Sequence, residues 1–189
     1  ASTTRAALCD AALKLFAEQG IEATTTREIA EQAGVAEGTL YRHFNSKEEL
    51  VQHLFENSAA RFYDVLLQSI EDNQLPGDRL RELVRGVFAF AETHPTSFTY
   101  LLSVHHTGIL KERENPPPPM RLFVETLTDG IEKGAFRSIS PVLATGWIVA
   151  MAQRAVVFLS SPLMTDRRDV VIQETIDAAL RLVEAESTP

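Results

Sequence analysis

Residues 24–50 read TTTREIAEQAGVAEGTLYRHFNSKEEL, and this stretch decides the fold. Thr25 and Glu28 stand in the T-x-x-E spacing of a capping box, which opens a short helix. Ile29, Ala30 and Ala33 give that helix an apolar inner face, and Gly34 ends it. A second short helix is expected from about residue 37 to 44, with Leu40 and Phe44 one turn apart on its inner side. Ser46 and Glu49 repeat the capping spacing and start a longer helix, expected over 47–72, through Leu50, Leu54, Phe62, Leu66 and Ile70. Two short helices joined by a tight glycine turn, and braced by a preceding helix, have the form of a helix-turn-helix.

The second helix of such a pair can lie in the major groove of DNA with its first residues against the bases. Here it presents Glu37, Gly38, Thr39, Tyr41, Arg42 and His43. Gly38 lets the backbone come close to a duplex. Thr39 and Tyr41 carry hydroxyls suited to phosphate, and the Thr39 methyl suits thymine. Arg42 suits guanine or phosphate. Lys47 sits among the free amides of the next helix's first turn, where ammonium and amides together suit a phosphate. Thr26 and Arg27 begin the first helix of the pair, where the DNA backbone would cross. Charge alone does not point to DNA. The chain carries a net charge of −8, and residues 1–50 hold five Lys/Arg against eight Asp/Glu, a net of −3. Only Arg27, Arg42 and Lys47, with His43, form a local phosphate footprint. On pattern alone, a plain helical turn with no DNA role remains the alternative.

The rest of the chain is also helical in its periodicity. Leu8, Ala12, Leu15 and Phe16 line one face of a helix that Gly20 stops. Further helices are expected from about Leu80 to Ala91, through Phe98 to Leu102, from about Pro119 to Gly134, over 141–160, and over about 166–185. The run Asn115-Pro116-Pro117-Pro118-Pro119 reads as a stiff connector, and Ser140-Pro141 as a cap with proline in the first turn. The fold class is therefore all-α, with about nine helices, no sheet and no internal repeat. Hydrophobic residues make up 44% of the 189, enough for a real core. The single cysteine, Cys9, is expected to be a buried, inert thiol in a reducing, cytoplasmic setting. No signal peptide is visible, and Ala1 fits a trimmed or processed chain. The apolar stretch Val142 to Leu159 contains Gln153 and Arg154, so it is read as a buried helix of a soluble protein without a membrane span.

The 24–50 segment resembles the signature of the TetR family of transcriptional regulators: a T-x-x-IA-x-x-AGV helix, then G-T-L-Y-x-[HY]-F, then x-x-K-x-x-L. The likeness is nearly continuous from Leu8 to Leu50, and the part from Thr39 to Lys47 is very specific. The resemblance implies an N-terminal three-helix DNA-binding domain, 1–48, and a C-terminal helical bundle, 49–189, for ligand binding and dimerisation. It implies that Thr26, Arg27, Glu37, Gly38, Thr39, Tyr41, Arg42, His43 and Lys47 fall on positions that contact double-stranded operator DNA. Thr39, Tyr41 and Lys47 would hold phosphates, while Glu37, Gly38 and Arg42 would tune sequence choice. Glu37 departs from a base-friendly residue; it either accepts from a cytosine amino group or caps its helix. The basic arm that often precedes the first helix is reduced to Arg5.

The implied protein is a homodimeric repressor, released from a palindromic operator by a small apolar or aromatic effector. Phe62, Phe88, Phe98, Tyr100, Phe123 and Trp147 are candidates to line the effector pocket, each with ordinary core packing as its alternative. Arg154 would pair with an anionic ligand, or else with a carboxylate or the dimer rim. The last two helices would form a four-helix interface between two chains. No cofactor is implied. His105 and His106 are adjacent and so do not share a helix face, and no metal-ligand spacing occurs. There is no phosphate-cradling glycine loop and no nucleophile elbow, which sets an enzyme aside. The other reading is an all-helical ligand-binding or interaction protein without DNA binding, which has no need of Gly38, Thr39, Tyr41 and Lys47 together.

Overall fold

The computed structural model describes residues 2–72, 74–104 and 117–185. Among these it contains nine helices: α1 (Ser2–Gln19), α2 (Thr26–Gln32), α3 (Glu37–Leu40), α4 (Lys47–Ser69), α5 (Pro76–Thr93), α6 (Pro95–Val104), α7 (Pro118–Glu132), α8 (Pro141–Phe158) and α9 (Arg168–Val183). The only extended pairing among the described residues is an isolated bridge between Phe136 and Glu184, so the all-α expectation holds. His105, His106 and the start of the proline run lie outside the described residues. The helices fall into two compact units, 1–59 with 94–114, and 60–93 with 115–189.

In the first unit α1 packs on α2 and α6, and α2 packs on α3. Leu8, Ala12 and Phe16 of α1 are buried, as the apolar periodicity requires. Gly20 takes φ 90° and Gly34 φ 70°, a backbone region that residues with a Cβ rarely enter. At the end of α2 the Gly34 amide donates to the Glu31 carbonyl (3.1 Å) and the Val35 amide to the Ala30 carbonyl (3.0 Å). That is a Schellman motif, and it turns the chain sharply from α2 into α3. Helix α3 is shorter than its periodicity suggests. After Leu40 the Arg42 and His43 amides donate three residues back, to Thr39 (3.2 Å) and Leu40 (2.9 Å), which tightens the last turn. Leu40 and Phe44 nevertheless both bury their side chains. Tyr100, from α6, stacks on Phe16 at 6.0 Å, and its hydroxyl donates to the Val51 carbonyl at 2.6 Å.

In the second unit α5 packs on α7, α8 and α9, with α7 on α8 and α8 on α9. The Phe62 and Phe90 rings meet at 4.7 Å, tilted by 33°, and Phe88 and Phe123 are fully buried. Two glycines mark close approaches. A Cβ at Gly86 would stand 2.8 Å from Leu66 Cδ2, and one at Gly130 would overlap the Phe136 ring. Gly130→Ala is expected to force that ring out of its place. Overpacking of this kind costs about 1–3 kcal/mol, which lowers Tm by roughly 2–10 °C in a chain of this size. Thermal unfolding followed by circular dichroism measures it, and an unchanged Tm contradicts the packing described.

Helix α8 corrects the expectation of a buried helix. By length and composition it is apolar enough to cross a membrane, with mean hydropathy 1.4, yet only 28% of it is buried within the chain. Ala144, Ile148, Val149 and Ala152 face the core. Leu143, Trp147, Ala150, Arg154, Val157 and Phe158 form an exposed stripe at helical spacing. Cys9 is half-buried, and burial raises its thiol above the ordinary range.

Candidate nucleic-acid interface

The two helices of the turn are set by their caps. Thr25 caps α2: the Glu28 amide donates to its hydroxyl (3.2 Å), and the Thr25 amide donates to the Glu28 carboxylate (2.7 Å). Hydrogen bonds from Thr25 hold the Glu28 carboxyl below its usual range. The second capping box forms only in part. The Glu49 amide donates to Ser46, but the Glu49 carboxylate accepts from the Asn45 amide (2.8 Å) and the Asn45 side chain, one residue further upstream. Those bonds lower the Glu49 carboxyl.

On this frame the structure brings most of the sequence-predicted contact residues to one exposed surface. Leu40 and Phe44 anchor α3 from beneath, which turns Gly38, Tyr41 and Arg42 outward. Tyr41 is 51% exposed. Thr39, His43 and Lys47 are half-buried, and Lys47 is the first residue of α4. A Cβ on Gly38 would meet nothing within 4 Å, so the protein's own packing does not require glycine there.

Three contacts on this surface were not legible in the sequence. The Thr26 hydroxyl donates to Glu37 Oε1 at 2.7 Å and lies 3.3 Å from the Tyr41 hydroxyl. This network joins residues 11 and 15 positions apart, beyond any local pairing rule. The Arg5 guanidinium sits over the Phe44 ring, 4.9 Å from its centroid, and Arg5 lies within α1 instead of in an arm that precedes it. The His53 ring meets the Phe44 ring at 5.6 Å between centroids, and burial, then Arg5, pushes its imidazole below the ordinary range. A fourth contact did carry a signal. Arg27 Nε donates to Glu31 Oε1 at 2.9 Å, an i,i+4 pair readable from spacing, and that bond raises the arginine pKa.

Residues 8–54 match the model of bacterial regulatory proteins of the TetR family. The transcriptional repressor KstR2 of Mycobacterium tuberculosis H37Rv is 32% identical over 147 residues, covering 72% of this chain and 70% of that protein. The chain belongs to the TetR family. It is a DNA-binding transcriptional regulator, as its relatives are, and the reading without DNA binding is not favoured. A TetR-family regulator from Shewanella sp. PV-4 has the same fold, with TM-score 0.81 at 20% identity, covering 97% of this chain and 99% of its own. FadR of Bacillus subtilis, solved in complex with stearoyl-CoA, matches with TM-score 0.72 at 21% identity over 94% of this chain and 96% of its own.

The seven residues expected around an effector are divided between the two units of this TetR-family chain. Phe98 and Tyr100 belong to the unit that carries the helix-turn-helix, where the Tyr100 proton is committed to Val51 and burial raises the phenol above its usual range. Phe62, Phe88 and Phe123 are core side chains of the other unit. Trp147 is 48% exposed and Arg154 is exposed, both on the outward stripe of α8. That stripe suits a second chain better than an enclosed ligand. A groove of about 340 Å³ lies elsewhere, between Phe136, Asp177, Leu180 and Arg181.

Proposed function

We propose that this TetR-family regulator is a cytoplasmic homodimeric repressor that reads a palindromic operator through α3 of each chain. The observation that carries the reading is the surface built from the exposed Gly38, Tyr41 and Arg42 with the half-buried Thr26 and Lys47 over the buried anchors Leu40 and Phe44. Tyr41, Thr39 and Lys47 hold phosphates, with the α4 amides beside Lys47. Arg42 reads guanine or a phosphate, and His43 adds to the footprint. Arg27 exchanges its bond with Glu31 for a phosphate oxygen, so its contribution is reduced by the ion pair it gives up. Gly38 leaves room for the duplex, which explains a glycine that the fold itself does not demand. By function the chain divides into a DNA-binding part, 1–48, and a regulatory part, 49–189.

The outward face of α8, with α9 beside it, forms the interface between two chains. Leu143, Trp147, Val157 and Phe158 are too apolar to remain in water as a continuous stripe. The pairing sets two α3 helices about one DNA turn apart, roughly 34–36 Å. The effector is a small, largely apolar molecule bound within the second part, among aromatic side chains such as Phe62, Phe88 and Phe123. The acyl chain of the stearoyl-CoA bound to FadR of Bacillus subtilis, which has the same fold, supports an apolar portion in the ligand. The effector favours a state with a different spacing, and operator affinity falls by its differential binding energy. Helix α4 is the lever, because it is continuous from Lys47 to Ser69.

Selection of bound sequences from a random duplex library, at near-physiological salt, tests the reading. The expected result is a palindrome with half-sites about one turn apart. A folded dimer that enriches no sequence contradicts it.

A further inference from the structure

We propose that Glu37 selects a cytosine in each half-site and that Thr26 is the residue that aims it. The inference rests on the operator-binding reading above and adds a residue-to-base assignment to it. A carboxylate amid phosphate-seeking groups lowers affinity for any duplex, so its presence needs a specific contact to offset it. A freely rotating glutamate at this exposed site would turn away from the phosphates. Glu37 is tethered instead. The Thr26 hydroxyl donates to Glu37 Oε1 at 2.7 Å. Thr26 has a single hydroxyl proton, and that bond uses it. The 3.3 Å contact between Thr26 and Tyr41 is therefore made by the Tyr41 proton. In the free chain the relay runs from Tyr41 to Thr26 to Glu37; on the operator the Tyr41 proton turns to a phosphate, and the shorter Thr26 bond alone holds the carboxylate at the start of α3. Glu37 Oε2 remains an acceptor with no partner assigned to it in this relay.

An acceptor-only group in the major groove discriminates sharply among bases. Cytosine presents the N4 amino donor there. Adenine presents a donor beside the N7 acceptor, which repels a carboxylate, and guanine and thymine present acceptors. Cytosine is thus the base that a fixed carboxylate accepts. Glu37→Gln keeps the Oε1 acceptor for Thr26 but adds a donor, which matches the donor and acceptor pair of adenine.

The test compares random-duplex selection by the full chain, by Glu37→Gln and by Thr26→Val. The wild-type motif is expected to carry one cytosine per half-site, preferred on the order of tenfold to a hundredfold over other bases. Glu37→Gln is expected to retain the palindrome while that one position moves to adenine or loses its preference. It also binds unrelated duplexes more tightly, since a negative charge has gone. Thr26→Val is expected to blur the same position. A Glu37→Gln motif identical to wild type overturns the cytosine assignment while leaving operator binding intact. A Thr26→Val variant weakened equally on all sequences, with the cytosine preference kept, overturns the positioning role. A wild-type chain that enriches nothing overturns operator binding itself and the inference with it.

Discussion

Trp147→Glu is expected to give a folded monomer that no longer holds its operator. Trp147 is 48% exposed in the single chain, so folding does not depend on burying it. Its neighbours at helical spacing, Leu143, Ala150 and Arg154, are exposed too, and together they form the stripe assigned to the partner chain. A tryptophan at the centre of an interface is worth about 2–4 kcal/mol on truncation. Two-fold symmetry places each substitution in the interface twice. The dimer constant is then expected to weaken on the order of a thousandfold or more. Binding two half-sites as one body is what lifts a dimer above non-specific affinity, so operator binding falls with it. Sedimentation equilibrium and an operator titration on the same sample measure both effects, with helical circular dichroism as the control for folding. A variant that is still dimeric would show that the outward face of α8 is not the interface.

Lys47→Ala is expected to lower operator affinity by about 10²–10⁴-fold. A charge-assisted hydrogen bond contributes about 1.5–3 kcal/mol, and the dimer makes the contact twice. Two fewer neutralised phosphates also flatten the dependence of log affinity on log salt by about 1.8. Tyr41→Phe separates the neutral contact from the charged one. It removes a hydroxyl, not a charge, so affinity falls while the salt slope stays. Filter binding across a salt series reads both. If Lys47→Ala keeps the wild-type slope, Lys47 does not touch a phosphate.

Most helix boundaries were legible because their signals are local. Thr25 with Glu28, Gly34 at the end of α2, and Ser140 with Pro141 are caps whose hydrogen bonds span no more than five residues. Helix α3 came out shorter because its final turn adopts tighter bonds, which apolar spacing does not report. The contact surface was legible as a set of residues, but its wiring was not. The bond from Thr26 to Glu37 crosses the turn, and the stacking of Arg5 on Phe44 links α1 to the end of the recognition segment. Sequence leaves Tyr100 open between pocket and core because a buried aromatic and a pocket aromatic look alike in it. Its place beside Phe16 depends on a contact 84 positions apart. Helix α8 was read as buried because hydropathy reports that a face avoids water, not which molecule covers it.

Competition between the selected palindrome and a shuffled duplex of the same composition, at about 150 mM salt, bears most directly on the central claim. The purified chain is expected to prefer the palindrome by a factor of at least about 10³, as specific readers do. It is expected to bind as two chains per duplex. Equal affinity for the two duplexes would mean that the surface over Leu40 and Phe44 attracts phosphates without reading sequence, and the account of an operator-specific regulator would be wrong.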